Sequence, residues 1–302
     1  MDALFIVNPA AGGGRGRERF ERVRHLAAAP GKVVRIEYTE RPGHAGEIAR
    51  RAAAEGWRTV VAVGGDGTAS DVADALAHTD TSLGIVPTGT GCDFVRSVGI
   101  PAEMERAMAG IWSYPPRACD LGRIGERRFL NAAGFGFDAA VAEEANRIKH
   151  ATRAGGTWPF LVAVGRVLRT YRPVWVRARV DDAPEERMQV LLVTFANGRA
   201  YAGGMRISPA SDVADGRLEM VTVRALRPTQ VVLLLPSVFL GLHTHHPAVS
   251  IRSFERLRLV ADEPVAVHCD GEEFPPLAPG SALDLAVEPR ALRLLAPASP
   301  PA

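Results

Sequence analysis

Thr59 to Asp71 reads T-V-V-A-V-G-G-D-G-T-A-S-D, and these residue types in this order suit the holding of a phosphate. Gly64, Gly65 and Gly67 let backbone N–H groups approach an anion closely. A helical pattern opens at Thr68-Ala69-Ser70-Asp71, and a helix N-terminus adds roughly half a positive charge. Asp66 stands among the glycines, where a carboxylate repels a phosphate unless a metal ion lies between them. The stretch therefore predicts a site for a nucleotide with Mg2+. A glycine turn that merely joins strand to helix is the alternative; it accounts for the glycines but not for the aspartate.

The elements that must hold this stretch follow from the hydrophobic pattern. Val60 to Val63 is a short apolar, mostly β-branched run, as in a strand buried on both faces. Ala3 to Val7 predicts a first strand, followed by the loop Asn8-Pro9-Ala10-Ala11-Gly12-Gly13-Gly14 and an Arg-rich helix to about Ala29. Val33 to Thr39 predicts a second strand and Gly43 to Glu55 a second helix. After the glycine stretch come a helix to Ala77, a strand Ser82 to Val86, and a second loop, Pro87-Thr88-Gly89-Thr90-Gly91-Cys92-Asp93-Phe94. Strands alternating with helices imply a parallel sheet, which binds ligands at the carboxyl ends of its strands. Both glycine turns lie at that end, so Thr90 and Asp93 are expected to reach the same phosphate chain as Asp66. The first loop lacks the G-x-G-x-x-G spacing of a dinucleotide fingerprint, and no G-K-[ST] occurs anywhere.

Beyond an amphipathic segment around Pro101 to Trp112 the pattern changes. Val174–Val180, Val190–Ala196, Leu218–Val223, Leu257–Val260 and Val265–His268 alternate with period two or run uninterrupted, and Asn197-Gly198 is a turn signal. This half is expected to be a mainly β, sandwich-like domain. The 302 residues suffice for two domains, and 47% apolar with 23% charged residues is an ordinary globular balance. A net charge of +2 argues neither for nor against nucleic acid, and none is expected as a partner. Cys92, Cys119 and Cys269 form no C-x-x-C pair, so neither a disulfide framework nor a zinc site is expected. The chain enters a strand without a charged-then-apolar leader, and its longest apolar run, Val231 to Leu242, is too short to span a bilayer. A cytoplasmic protein is expected. His243-Thr244-His245-His246 lacks partnering Cys or spaced acids and reads as an exposed helix end rather than a metal site. Between residues 145 and 180, Arg147, Lys149, Arg153, Arg166, Arg169, Arg172, Arg177 and Arg179 interleave with Trp158, Phe160, Tyr171 and Trp175, and no acid intervenes. That composition suits an anionic membrane surface; it suits RNA too, or a solvated face with its aromatics in a core.

G-G-D-G-T resembles the motif shared by NAD kinases, phosphofructokinase relatives and diacylglycerol/sphingosine-type lipid kinases. Further matches resemble the soluble bacterial diacylglycerol kinase-like lipid kinases and cover about residues 4 to 296. Asn8-Pro9 to Gly12 resembles the N-P-x-(S/A)-G opening, and Pro87 to Phe94 resembles P-x-G-T-x-N-D-F with Cys92 in place of the usual asparagine. Asp120-Leu121-Gly122 and Phe129 to Asp138 resemble D-L-G and F-x-N-x-x-x-G-x-D. Pro209 to Leu218 resembles P-x-A-x-x-x-D-G-x-L, and Asp270-Gly271-Glu272 resembles D-G-E.

The resemblance implies an α/β fold: an N-terminal doubly wound, NAD kinase-like nucleotide domain (residues 1–120), a β-rich lipid domain (121–284) and a tail (285–302) returning to the first domain. It implies ATP and Mg2+ as cofactors, bound in the cleft between domains. Asn8, Pro9, Gly12, Thr39, Gly64, Gly65, Asp66, Gly67, Thr68, Gly89 and Thr90 would lie along the nucleotide, with Asp66 and Asp93 organising Mg2+. Glu272 would be the general base with Asp270 its partner, an order that could be reversed. Asp215 would be the side-chain ligand of a structural Mg2+, with Asp212 and Arg217 contributing backbone; a plain D-G turn is the alternative. The implied reaction moves the γ-phosphate of ATP to a lipid hydroxyl, diacylglycerol foremost, with peripheral contact to an anionic membrane and a homodimer among the expectations. NAD kinase, or an inactive nucleotide- or membrane-sensing module, are the rival functions.

Overall fold

The computed structural model describes residues 2–11, 16–27, 32–88, 92–152 and 158–298. The chain begins with β1 (Ala3–Val7), α1 (Gly16–Ala27), β2 (Val34–Tyr38), α2 (His44–Ala54), β3 (Thr59–Gly64), α3 (Asp66–Leu76), β4 (Ser82–Pro87), α4 (Asp93–Ser97), α5 (Met104–Ile111) and β5 (Pro116–Ile124). It continues through β6 (Arg127–Phe129), β7 (Ala132–Gly136), α6 (Phe137–Thr152), α7 (Trp158–Thr170), β8 (Val174–Val180), β9 (Glu186–Ala196) and β10 (Leu218–Arg224). Last come α8 (Pro228–Phe239), a 3-10 turn (Leu242–His245), β11 (Val249–Phe254), β12 (Arg256–Ala261), β13 (Val265–Cys269), β14 (Glu272–Leu277) and β15 (Ala282–Leu295). Two compact units result: Met1–Leu121 with Pro289–Ala302, and Gly122–Glu288.

The first unit is built on a parallel sheet in the order β2-β1-β3-β4-β15. Its strands β1, β3 and β4 are buried along their whole length, as continuous apolar runs require when helices cover both faces. Val23 and Ala27 of α1 and Met108 and Ile111 of α5 pack with Phe5, Val61, Val63 and Val86. The chain leaves β1 for β2 on one side and later takes β3 and β4 on the other. Such a reversal opens a crevice at the carboxyl ends of β1 and β3, where α/β sheets hold ligands.

Three local features differ from the sequence reading. Helix α3 begins at Asp66 instead of Thr68, because Gly65 in extended conformation already serves as its N-cap. A short helix, α4, follows the second glycine loop. The expected tail (285–302) starts inside one long strand, β15, bent where Arg290 takes φ 54° and donates its N–H to Asp120 Oδ1.

The second unit is antiparallel and β-sandwich-like. Strand β9 pairs with β7, β8 and β10, β10 with β11, β12 with β8 and β15, and β13 with β7 and β14. Period-two alternation sends Val174, Val176, Phe135, Phe195, Phe254, Leu259 and Leu285 into one core. Leu191, Val221 and Val223 face a second core roofed by Val141 and Ile148 of α6, Val164 of α7 and Val231 of α8. Strands β11 and β14 were not legible as strands. β14 carries Pro275 and Pro276 and pairs only with β13 among the described strands, an edge position where proline is tolerated.

Candidate active site

Four strand ends of the first unit bring several of the expected nucleotide residues together. Asn8, one residue past β1, donates its N–H to Val63 O and its Nδ2 to Thr68 Oγ1 at 2.9 Å. Thr39, past β2, is buried and donates its N–H to Val7 O, and Thr88, past β4, donates to Gly64 O. Gly64 is required by close approach: a Cβ there would lie 2.5 Å from Thr68 Oγ1. Helix α3 has no side-chain cap at Gly65, and Asp66 is its first residue. Uncapped N–H groups, a positive helix end and one carboxylate are a donor set that fits a phosphate held with a divalent cation. Pro9 is exposed beside Asn8, whose Oδ1 accepts from Ala10 N. Gly12, Gly89 and Thr90 lie outside the described residues.

Asp93 is buried and accepts from Arg96 Nη1 at 2.7 Å. Cys92, the N-cap of α4, takes φ 48° and ψ 49°. Asparagine tolerates this left-handed conformation far better than cysteine.

In the second unit the acidic turn is a two-residue hairpin. Cys269 pairs with Glu272 across Asp270 (φ 50°) and Gly271 (φ 81°), both left-handed as a type I′ turn requires. The Asp270 carboxylate accepts three backbone N–H groups: Leu130 at 2.7 Å, Asn131 at 2.9 Å and Ala132 at 2.9 Å. Glu272 is half exposed and accepts from Arg127 Nη2 at 2.7 Å. Burial weighs against the Arg127 guanidinium, and the Glu272 hydrogen bond, together with the negative charge of Cys269, Glu272 and Asp270, more than offsets it, so its pKa rises. Arg127 carried no signal in the sequence, since an arginine pair before a short strand has no distinctive spacing.

Sequence reasoning also gave no role to a buried polar network behind this hairpin. Asp138 Oδ2 accepts from Thr194 Oγ1 at 2.9 Å and lies 3.6 Å from His268 Nε2, while Gly271 N approaches His268 Nδ1 at 3.4 Å. Tyr201 stacks on His268, and its hydroxyl pKa is raised by burial and then by the Asp138 charge. Gly134 leaves the room: a Cβ there would lie 2.1 Å from His268 Nε2. Asp138, Tyr201 and His243 stand in the wall of an otherwise apolar cavity of about 80 Å³, lined by Phe160 and Val164 of α7 and Leu234, Leu235 and Val238 of α8. Its apolar lining suits part of an acyl chain.

The histidine run departs from its expected place. His245 is exposed, but His243 is 1% exposed, lines the same cavity and bonds through Nε2 to Ile207 O at 3.0 Å. The loop from Ile207 folds back over it, a tertiary contact that local pattern does not reveal.

Around Asp215, each acid first serves its own loop: Asp212 Oδ1 accepts from Ala214 N and Asp215 Oδ1 from Arg217 N. The Arg217 side chain pairs with Asp181 and Glu255. Glu219, not singled out in the sequence, has a raised pKa, first from burial and then from the Asp215 carboxylate nearby. Among the described residues no group of three His, Cys, Asp or Glu side chains could hold a metal, so an ion here would rest on one or two carboxylates and backbone carbonyls.

The basic stretch between 145 and 180 is partly neutralised by acids distant in sequence or one turn away. Arg147 pairs with Glu143 and Glu144, Arg166 with Glu144, and Arg177 with Asp262. Trp175 lies under Arg187, and Tyr171 packs edge-on to Phe137.

Known proteins match along both units. Residues 2–124 match the diacylglycerol kinase catalytic domain, and residues 131–296 the YegS C-terminal NAD kinase beta sandwich-like domain. A diacylglycerol kinase of Mycobacterium tuberculosis is 31% identical over 97% of this chain and 94% of its own length. A protein of Pseudomonas aeruginosa named "Probable lipid kinase YegS-like" is 33% identical over 93% of this chain and 91% of its own. The solved structure of a diacylglycerol kinase from Bacillus anthracis str. Sterne superposes with a TM-score of 0.74 at 18% identity, covering 98% of this chain and 97% of that one. Yeast NADH kinase complexed with NADH superposes at 0.54 with 10% identity over 97% of this chain and 82% of that one, a likeness of fold alone. With matches running nearly end to end, this chain belongs to the family of diacylglycerol kinase-like, YegS-like lipid kinases.

Proposed function

We propose that the chain is an ATP- and Mg2+-dependent lipid kinase that phosphorylates the hydroxyl of a lipid alcohol, diacylglycerol foremost, giving phosphatidic acid. The observation that carries this reading is the cavity of the second unit, whose apolar walls end at Asp138 and Tyr201. Apolar walls suit acyl chains, and a few fixed polar groups suit a hydroxyl. Asn8, Thr39, Gly64, Gly65, Asp66, Gly67 and Thr68 would hold the nucleotide, with Gly12, Gly89 and Thr90 beside them. ATP with Mg2+ would supply the phosphoryl group and the positive charge that offsets its own. Asp66 and Asp93 would anchor that charge, Asp93 standing at the start of α4 where it pairs with Arg96.

Glu272 acts as the general base, taking the hydroxyl proton while the acceptor oxygen bonds to the γ-phosphorus of ATP and the bond from that phosphorus to the bridging oxygen breaks, releasing ADP. Asp270 holds the hairpin that carries Glu272; its three backbone partners support that division of labour. Asp215, helped by Glu219, holds a structural Mg2+, with Asp212 and Arg217 contributing backbone. The enzyme works from the cytoplasm and meets its lipid at an anionic bilayer. Labelled ATP offered with diacylglycerol, monoacylglycerol, a sphingoid base and NAD tests the reading. Transfer to diacylglycerol above the rest is expected; transfer to NAD and to no lipid overturns it.

A further inference from the structure

Helix α8 is apolar from Val231 to Phe239 save for Ser237, yet half of it is uncovered. Val231, Leu234, Leu235 and Val238 line the cavity or its core. On the opposite arc of about 100°, Val232, Leu233, Pro236 and the C-capping Leu240 face outward. Leu233 is 79% exposed and Leu240 68%. Leu242 of the next turn, and Trp158 and Leu161 of α7, are exposed as well. An exposed apolar helix face of this kind marks a contact surface, and the outer face here has no protein over it among the described residues.

The charge around this face is of one sign. From Met220 to Phe254 the chain has no Asp or Glu. Arg206, Arg224 and Arg227 are exposed, and among the described residues none forms an ion pair with a carboxylate. This contrasts with Arg147 and Arg166 on the side first expected to meet a membrane, which are already paired. Unpaired arginines beside exposed leucines complement an anionic lipid surface.

We propose that the outer face of α8, with Trp158 and Leu161 of α7, inserts into an anionic bilayer, so that the two helices lining the cavity are also those embedded in the lipid. This rests on the lipid-kinase reading for its purpose, though not for its test. A lipid leaving the bilayer would then enter between α7 and α8 without crossing water.

Flotation of the full chain with phosphatidylcholine vesicles, with and without phosphatidylglycerol, tests it. Binding that requires phosphatidylglycerol and weakens with salt is expected, and Leu233→Glu with Leu240→Glu should weaken it by about 100-fold or more. That variant should lose phosphorylation of long-chain lipid in vesicles while keeping nucleotide affinity and turnover of a short-chain, water-soluble lipid alcohol. Should the variant fail to fold, Leu233→Trp serves instead, with a blue shift and quenching by brominated lipid expected on phosphatidylglycerol vesicles. Unchanged tryptophan emission, or undiminished flotation of the glutamate variant, overturns the proposal. So does a dimer in solution that the glutamate variant dissociates without any change in flotation. Vesicle binding without phosphorylation of any lipid would sink the kinase reading and leave this one standing.

Discussion

Asp270 and Glu272 lie two residues apart and are held quite differently, which allows their roles to be separated. In Asp270→Asn the backbone keeps its shape, since asparagine accepts φ 50° at least as readily as aspartate. The amide oxygen can still accept from Asn131 and Ala132, both of which reach Oδ1. The N–H of Leu130, which reaches Oδ2, would face an NH2 group, donor against donor. One unsatisfied part-buried donor costs about 1–3 kcal/mol, and two bonds lose their charge assistance, so a loss of about 2–4 kcal/mol is expected. Glu272→Gln disturbs one half-exposed pair with Arg127, worth roughly 0.2–1 kcal/mol. Its effect belongs instead on turnover, about 10²–10⁴-fold for a lost general base. Urea unfolding gives the first quantity, amide exchange at residues 130–132 localises it, and saturating kinase assays give the second. A wild-type unfolding midpoint for Asp270→Asn with turnover abolished would make Asp270 the base and refute this assignment; so would wild-type turnover in Glu272→Gln.

Other outcomes follow from single positions. Cys92→Asn relieves a left-handed strain and should stabilise the first unit by about 0.5–1 kcal/mol in thermal unfolding; an unchanged midpoint counts against the backbone explanation. Gly64→Ala should weaken ATP binding by calorimetry, because the new methyl displaces Thr68; wild-type affinity would remove Gly64 from the cradle. Burial depresses the His243 pKa in the folded chain below its ordinary value, so between the depressed pKa and about 6.5 the unfolded chain binds more protons than the folded one. Stability is then full above about pH 6.5 and falls as the medium is acidified through that window, and His243→Gln should flatten the fall. Equal pH dependence in the variant would contradict the depressed pKa.

The parallel sheet was readable because its strands are short apolar runs between glycine and proline signals, and Val60–Val63 admits little else. The glycine turn between β3 and α3 was readable for the same reason, although the helix begins at Asp66 and not at Thr68. What local pattern could not supply was distance. The three backbone partners of Asp270 lie some 140 positions earlier in the chain, and nothing near Arg127 announces Glu272. The arginines after residue 145 looked unopposed only because Glu144 precedes them and Asp262 is remote. Val231 to Leu242 read as one apolar run interrupted at Pro236 and Ser237, with no sign of which face is bare, since a helix covered on one side has the same letters as a helix covered on both.

The bend at Pro289–Arg290 has a consequence for how the molecule is made. Beyond it, Arg293 and Leu294 zip onto Ser82 and Leu83, Ala291 receives the N–H of His78, and Pro297 takes a bond from Arg117. The sheet of the first unit therefore keeps a raw margin on β4 until residues 291–295 have been synthesised. A nascent or prematurely terminated chain carries an unpaired strand edge, the feature through which such sheets stick to one another.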